Sequence, residues 1–264
     1  MISALVPVRI DHMDRIDNMN LFLRFYGGTS FMEVVVIEDG CINNGQIEQL
    51  CSQYPNVKYK FVKNESYFQK GLLYNEAFKI STGDFIVALD VDVIINRAQI
   101  KKGIDIVADS KEKTILIPYN GASFYTTAQL KNIFRDKTDY ETLERFFPPK
   151  IIMQYSTPFL RIPNIHSSGG CVIFKREDYL EYGGFNPNFR GWGYEDDEVL
   201  YRYQRFGFKI NRLSDPRSVL WHLHHEGTIR EANPHLMNNR QILLDEKEMD
   251  DNKLKAYIEG WKNG

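Results

Sequence analysis

The chain of 264 residues carries 33 Lys and Arg against 35 Asp and Glu, a formal net charge of −2, and so lacks the basic excess expected of a nucleic-acid-binding protein. A hydrophobic fraction of 43% beside 26% charged residues excludes intrinsic disorder. No apolar run approaches the roughly 20 residues of a membrane-spanning helix, residues 1–10 lack the basic start and apolar run of a signal peptide, and the odd cysteines Cys41, Cys51 and Cys171, without metal-site spacing, fit a reducing compartment.

Residues 2–8 form a short apolar run closed by Pro7 and Arg9, the pattern of a buried strand. Apolar residues at helical spacing cover 13–26 and end at Gly27 and Gly28. A β-branched strand follows over 31–37, stopped by Glu38, Asp39 and Gly40, then a helix over 42–54 with Asn43 or Asn44 as cap. The pattern continues with a strand at 57–62, a helix at 71–80, a turn at 82–84 and a buried strand at 85–89. Strands alternating with helices predict parallel βαβ units with helices on both faces of a central sheet. Further on, strands are expected at 115–118 and 171–174, and helices at 139–146, 176–182 and 195–206, the last capped by Gly207. A charged, amphipathic helix is expected over 241–261, docked by Leu244, Leu254, Ile258 and Trp261.

Three clusters interrupt this pattern with chemistry. Asp90 and Asp92 break an apolar run; on an extended backbone both point to one side, into the cleft beyond the strand ends, as oxygen ligands for Mg²⁺ or Mn²⁺. Solvated aspartates at a strand end are the plainer alternative. Gly191-Trp192-Gly193-Tyr194 then leads into Glu195, Asp196, Asp197 and Glu198. Four acids at a helix start complement the helix dipole, but a Gly-flanked Trp also describes a flexible loop carrying a sugar-stacking platform beside a general base. Lastly, His222, His224 and His225 are half of the chain's six histidines. On a strand His222 and His224 share a face; on a turn His222 and His225 converge, and imidazole suits a transition ion. Ile229 stands where a zinc-protease motif needs its second His. No Gly-rich dinucleotide fingerprint or P-loop occurs.

Taken in order, Val6-Pro7-Val8-Arg9, Val36 to Gly40, Phe68 to Asn75, Asp90-Val91-Asp92, Gly169-Gly170 and the stretch from Gly183 to Asp197 resemble metal-dependent glycosyltransferases of the GT-A fold. The resemblance is to the β-1,4-galactosyltransferases and bacterial chondroitin-type polysaccharide glycosyltransferases. It implies an α/β GT-A-type single domain over 1–264, with a mostly parallel sheet. Residues 1–95 would be the nucleotide-sugar-binding half, 96–225 the acceptor and catalytic half, and 226–264 a C-terminal helical extension. The implied reaction is inverting transfer of a hexose or N-acetylhexosamine, Gal or GalNAc, from a UDP-sugar to a glycan hydroxyl.

The same resemblance implies roles. Pro7, Arg9, Glu38, Asp39, Lys70, Asn75, Asp90, Gly170 and Trp192 would bind the donor, with Lys70 near its diphosphate. Asp92, His222 and His225 would hold Mn²⁺ or Mg²⁺, with His224 the lesser candidate. Asp196 would be the general base, assisted by Glu195, and Trp192, Glu195 and Asp197 would meet the acceptor. Departures from the family pattern are Tyr194 in place of a glycine, His222 where animal enzymes often carry Met, and a small Ser167 that leaves room for an N-acetyl group. The absence of the animal enzymes' anchor and stem implies a bacterial-type protein, cytoplasmic or peripheral to the inner membrane. Two rival readings are a nucleotidyltransferase acting on sugar phosphates and a catalytically inactive glycan-binding relative.

Overall fold

A computed structural model describes residues 1–129, 131–132, 168–226 and 233–262. The helix expected at 139–146 and the position of Ser167 lie outside these. The first half follows the alternation: β1 (Ile2–Arg9), α1 (Met13–Tyr26), β2 (Glu33–Gly40), α2 (Gln46–Cys51), β3 (Val57–Lys63), α3 (Lys70–Ile80) and β4 (Phe85–Leu89). Then come β5 (Val93–Ile94), α4 (Arg97–Asp109), β6 (Thr114–Ile117), β7 (Ser123–Tyr125), β8 (Cys171–Lys175), α5 (Arg176–Glu181) and α6 (Glu195–Arg205). The chain continues through β9 (Lys209–Arg212), β10 (Leu220–His222), α7 (Leu236–Glu248) and α8 (Asp251–Lys262).

Seven strands form the main sheet in the order β3-β2-β1-β4-β8-β6-β9. The pairs from β3 to β4 and the pair β6/β9 are parallel, while β8 runs antiparallel to β4 and β6. The sheet is therefore mostly parallel and flanked by helices. Its central strands are apolar on both faces because both faces are covered, which is why β1, β2 and β4 read as unbroken apolar runs. A smaller sheet, β5-β10-β7, sits at the carboxyl end of β4. No described helix is long and apolar enough to cross a membrane.

Several expectations change. The Asp90–Asp92 segment is not extended but a tight turn, in which Val93 N–H donates to Asp90 O at 3.1 Å. Helix α2 is shorter than the 42–54 pattern, because Asn43 and Asn44 spend their side chains on the backbone N–H groups of Gly45 and Gln46 and so delay its start. The C-terminal helix is two helices, because Asp250 caps a new start by accepting from the N–H groups of Asn252 and Lys253, both at 3.0 Å. Helix α4 was not expected, although its signal is legible: Asn96 accepts from Ala98 N–H at 2.8 Å, and Ile100, Ile104 and Val107 form one buried stripe.

The second half is tied together by a fully buried Arg202 on α6. Its guanidinium pairs with Glu198 one turn away at 2.5 Å and donates to the carbonyls of Tyr182 and Gly184. It thus fixes α6 against the Gly183–Gly184 turn. Replacing Arg202 by Met leaves Glu198 buried without its cation, a change that typically costs about 3–5 kcal/mol. Urea unfolding of Arg202→Met is expected to show a loss of that order; an unchanged midpoint would mean that the pair contributes nothing to holding α6.

Candidate active site

The carboxyl ends of β1 and β4, the start of α3 and the loop before α6 surround a cavity of about 420 Å³. Pro7 and Arg9 line one side, where β1 ends. Arg9 donates from Nε and Nη2 to the two oxygens of Asp39 at 2.8 and 2.7 Å, and Asn64 Nδ2 adds a third bond to Asp39 at 2.7 Å. Burial pushes the Asp39 carboxyl up, and Arg9 and Asn64 oppose the shift. Glu38, one residue earlier on the strand, is turned to Tyr59, whose hydroxyl donates to it at 2.6 Å. Neither Glu38 nor Asp39, whose side chain is fully buried, lines the cavity.

Beside the end of β1, at the end of the neighbouring strand β4, the Asp90–Asp92 turn presents both aspartates to the cavity, with different partners. Asp90 accepts from the Tyr74 hydroxyl at 2.7 Å. Asp92 faces His222 at 3.8 Å and His225 at 3.1 Å. One ligand atom from each of Asp92, His222 and His225 lies within 4.8 Å of the others. Ligand bonds of about 2.1 Å put adjacent donors about 3 Å apart and opposite donors about 4.2 Å apart, so one carboxylate and two imidazoles suit a divalent transition ion. Burial raises the Asp92 pKa, but His222, His225 and Arg15 reverse this and hold it well below the usual carboxylate range. Burial lowers the pKa of His222, against the pull of Asp92, which favours the neutral imidazole that a metal needs.

The histidine segment is oriented by bonds to its neighbouring residues Leu223 and His224. Leu223 N–H donates to Asp92 O at 2.7 Å, and His224 N–H to the Thr126 hydroxyl at 2.8 Å. The buried Lys131 donates to His224 O at 3.0 Å and to Asp14 Oδ1 at 3.1 Å. These bonds turn the chain so that His222 and His225 converge.

The third cluster centres on Lys70, the first residue of α3 and 3% exposed. Its ammonium lies 2.9 Å from Asp196, 3.3 Å from Glu195 and 3.6 Å from Asp90. Burial opposes its charge, yet the three carboxylates raise its pKa well above that of free lysine. The ammonium thus pairs with three carboxylates while it lines the cavity. Asp196 is pushed up to about 7, chiefly by burial and also by Glu195 and Asp90, with Lys70 pulling the other way. Its side chain keeps 28% exposure, enough to be reached by a ligand. Gly169 makes room for it: a Cβ there would stand 2.1 Å from Asp196 Oδ2. Glu195 is buried and also accepts from Gly193 N–H at 2.6 Å. Asp197 is exposed and outside the cluster.

Trp192 lies between these groups. Its ring is 5.7 Å from the Arg15 guanidinium and 6.0 Å from the Lys70 ammonium, and 5.1 Å from the Phe68 ring. Tyr194, at the end of the Trp192 loop, has φ +70°, the one described non-glycine residue in the left-handed region. A glycine there would adopt that conformation without strain.

Two further placements differ from expectation. Asn75 does not reach the cavity: its Nδ2 donates to Phe185 O at 2.7 Å, and its Oδ1 accepts from the Tyr179 hydroxyl and Phe185 N–H. Gly170, at φ +85°, packs against Leu220 and Val93 and serves the backbone path. Sequence reasoning missed Arg15, 4% exposed, whose Nη1 lies 2.5 Å from Asp92 Oδ2. Its signal was a cation on the buried face of an amphipathic helix, one turn after Asp11. Asn233 also lines the cavity, and no local pattern marks it.

With this geometry in place, the chain matches the glycosyl transferase family 2 model over residues 28–183, and the model described as the N-terminal domain of galactosyltransferase over residues 150–226. It is 30% identical over 83 residues to bovine β-1,4-galactosyltransferase 1, covering 31% of this chain and 20% of that protein. It is 31% identical over 100 residues to mouse β-1,4-galactosyltransferase 4, covering 37% and 23%. The match thus spans about a fifth of the length of these relatives. Among solved structures, it is similar to Staphylococcus aureus TarS 1-349 in complex with UDP-GlcNAc, with a TM-score of 0.58 and 15% identity over 97% of this chain and 70% of that one. It is also similar to the mannosyltransferase PcManGT of Pyrobaculum calidifontis in complex with GDP-Man and Mn²⁺, with a TM-score of 0.52 and 18% identity over 92% and 61%. The fold is of the GT-A type.

Removing the cation beside Asp196 disfavours its carboxylate. Lys70→Met is therefore expected to move the Asp196 titration upward from about 7. Carboxyl infrared difference spectra against Asp196→Asn would follow it; a downward or absent shift would show that Lys70 does not set the charge of Asp196.

Proposed function

The chain belongs to glycosyl transferase family 2, and from that premise we propose that it transfers a hexose or N-acetylhexosamine, Gal or GalNAc, from a UDP-sugar to a glycan hydroxyl with inversion. The observation that carries the reading is Asp196: a reachable carboxyl with a pKa near 7, on the helix that follows the Trp192 loop, bonded to the cavity-lining Lys70, with Asp92 of the carboxylate–imidazole trio in the same cavity wall. Residues 1–95 hold the nucleotide in this reading, 96–225 supply the trio and the base, and 226–264 form the helical extension.

Pro7, Arg9 and Asp39 take the nucleoside at the end of β1 and β2, where ligands of open α/β sheets bind. Asp39 is buried behind Arg9 and bonded to it and to Asn64, so it holds the Arg9 guanidinium in place for a ligand. Asp90 stands between that end and Lys70. Asp92, His222 and His225 hold the divalent ion, and the chemistry it supplies when bound is charge neutralisation on a nucleoside diphosphate leaving group. Trp192 stacks on the sugars, and the exposed Asp197 meets the acceptor at the rim.

Asp196 takes the acceptor hydroxyl proton as that oxygen attacks the anomeric carbon from the face opposite the diphosphate. The new C–O bond forms as the bond to the phosphate oxygen breaks. Lys70 keeps part of the Asp196 population ionised at neutral pH despite burial. Glu195 holds Lys70 and the Gly193 N–H and so keeps the base and the Trp192 loop in one frame.

Thermal unfolding with UDP and a panel of UDP-sugars, with Mn²⁺ or with EDTA, tests the reading. A ligand at 100 times its Kd stabilises by about 2.7 kcal/mol. A Mn²⁺-dependent rise in Tm selective for one UDP-sugar is expected; no rise with any uridine nucleotide would overturn the donor assignment. With that donor, transfer should fall as pH drops below about 7, because the proton acceptor is the ionised form of Asp196. Asp196→Asn should lower the rate by about 10²–10⁴-fold while sparing UDP binding; wild-type turnover in that variant would remove Asp196 from the reaction. Separately, His222→Ala and His225→Ala should each weaken Mn²⁺ binding by tenfold or more in calorimetry, roughly the loss of one ligand, whereas unchanged affinity would assign the histidines a packing role only.

A further inference from the structure

The Gly-flanked Trp192 was expected on a flexible loop, but the structure packs the C-terminal segment against that loop. Asn233 is 6% exposed and Asn239 is fully buried. Asn233 Nδ2 donates to Arg190 O at 2.9 Å and to Trp192 O at 2.8 Å. Asn239 Nδ2 donates to Arg190 O at 3.0 Å and to Gly193 O at 3.1 Å, while its Oδ1 accepts from Arg190 N–H at 3.1 Å. Two buried amides therefore take up the backbone carbonyls of Arg190, Trp192 and Gly193. From the other side, Gly191 N–H donates to Phe68 O at 2.7 Å. The fit is close, since a Cβ on Gly191 would stand 2.6 Å from Asn233 Oδ1.

The segment that carries these amides is itself anchored. Glu246 on α7 accepts from Asn186 Nδ2 at 2.6 Å, and Arg205 on α6 donates to the carbonyls of Glu246 and Met249. On α8, Trp261 Nε1 donates to Gly183 O at 2.8 Å. A loose tail would not hold a loop; this one is fixed to the helix that bears Asp196 and to the turn before it. Buried side-chain amides that meet this many backbone groups are costly to leave unpaired, so the arrangement is strongly specified.

We propose that Asn233 and Asn239 are positioning residues that clamp the Trp192 loop, so that the C-terminal segment is part of the transfer site. The mechanism is positional. With the carbonyls of Arg190, Trp192 and Gly193 held, the indole stays between Arg15 and Lys70, where the cavity already is, and its rotational freedom is not lost again when a sugar binds. The consequence for transfer rests on the proposed role of Trp192 toward the sugars; the clamp itself does not.

Hydrogen exchange of the full chain, read by mass spectrometry, tests the clamp without assuming any activity. In the unaltered protein the amides of Arg190 and Gly191 should exchange about 100-fold or more slower than in a free peptide. Asn239→Leu and Asn233→Leu keep the side-chain volume but carry no donor. Each should speed exchange over 190–193 by about tenfold or more, leaving β1 to β4 protected. Two isosteric variants are used because one may unfold; the folded one decides, and the unaltered chain decides if neither folds. Free-peptide exchange at 190–193 in the unaltered protein, or unchanged exchange in a folded variant, overturns the clamp. Kinetics with the donor identified above then separate positioning from support of the fold. The expected result is a kcat for transfer lowered about tenfold with the Kd for UDP kept within about twofold; equal losses in both would reduce the amides to a structural role. If no UDP-sugar is turned over at all, the transferase reading fails while the exchange result still stands.

Discussion

The burial of one ammonium organises this molecule. Lys70 starts α3, Asp90 follows β4, and Glu195 and Asp196 open α6, and these elements meet because a desolvated lysine needs carboxylates around it. A single cation facing three acids leaves the group net negative, and burial, with Glu195 and Asp90 close by, pushes Asp196 toward neutral pH against the pull of Lys70. The same contact that joins the halves thus sets the charge state of Asp196. In a solvated setting the four acids from Glu195 to Glu198 would only complement a helix dipole. Their different surroundings give them different uses: Glu198 pairs with Arg202 in the core, Glu195 supports Lys70, Asp196 is reachable, and Asp197 is in solvent.

A second consequence is that the polar ends of the strands carry the chemistry while the apolar runs carry the fold. Asp39 and Asp90 stand where β2 and β4 give way to loops, and Asp92 lies in the turn that starts the small sheet. That sheet brings His222 back to Asp92, since His222 on β10 pairs with Val93, the residue after the turn. Arg15 completes the local charge balance by donating to the same carboxylate from α1. The glycines matter where side chains cross: at Gly169 the missing Cβ is the space that Asp196 occupies.

Much of this was legible without coordinates. The alternation of apolar runs and helical stripes over 2–89 specified parallel βαβ units, because a strand covered on both faces must be apolar throughout. The Gly-Trp-Gly stretch followed by acids marked a loop entering a helix, and the spacing of His222 and His225 allowed convergence on a turn. What local pattern determined was therefore the elements, their order and the residue types able to do chemistry.

Tertiary structure alone decided which of those residues meet. Lys70 and Asp196 are 126 positions apart, and Arg15 and Asp92 are 77 apart; no periodicity links them, and only packing of the sheet and helices places them side by side. For the same reason Asn75 and Glu38, which carry suitable side chains in a suitable stretch, turn to Phe185 and Tyr59 instead of the cavity. Asn233 and Asn239 gave no signal, because an asparagine that caps a foreign loop is indistinguishable in sequence from one in solvent until its amide is buried. Local sequence fixes what a residue can do through its chemistry, and the fold fixes what it does by choosing its neighbours and its access to water.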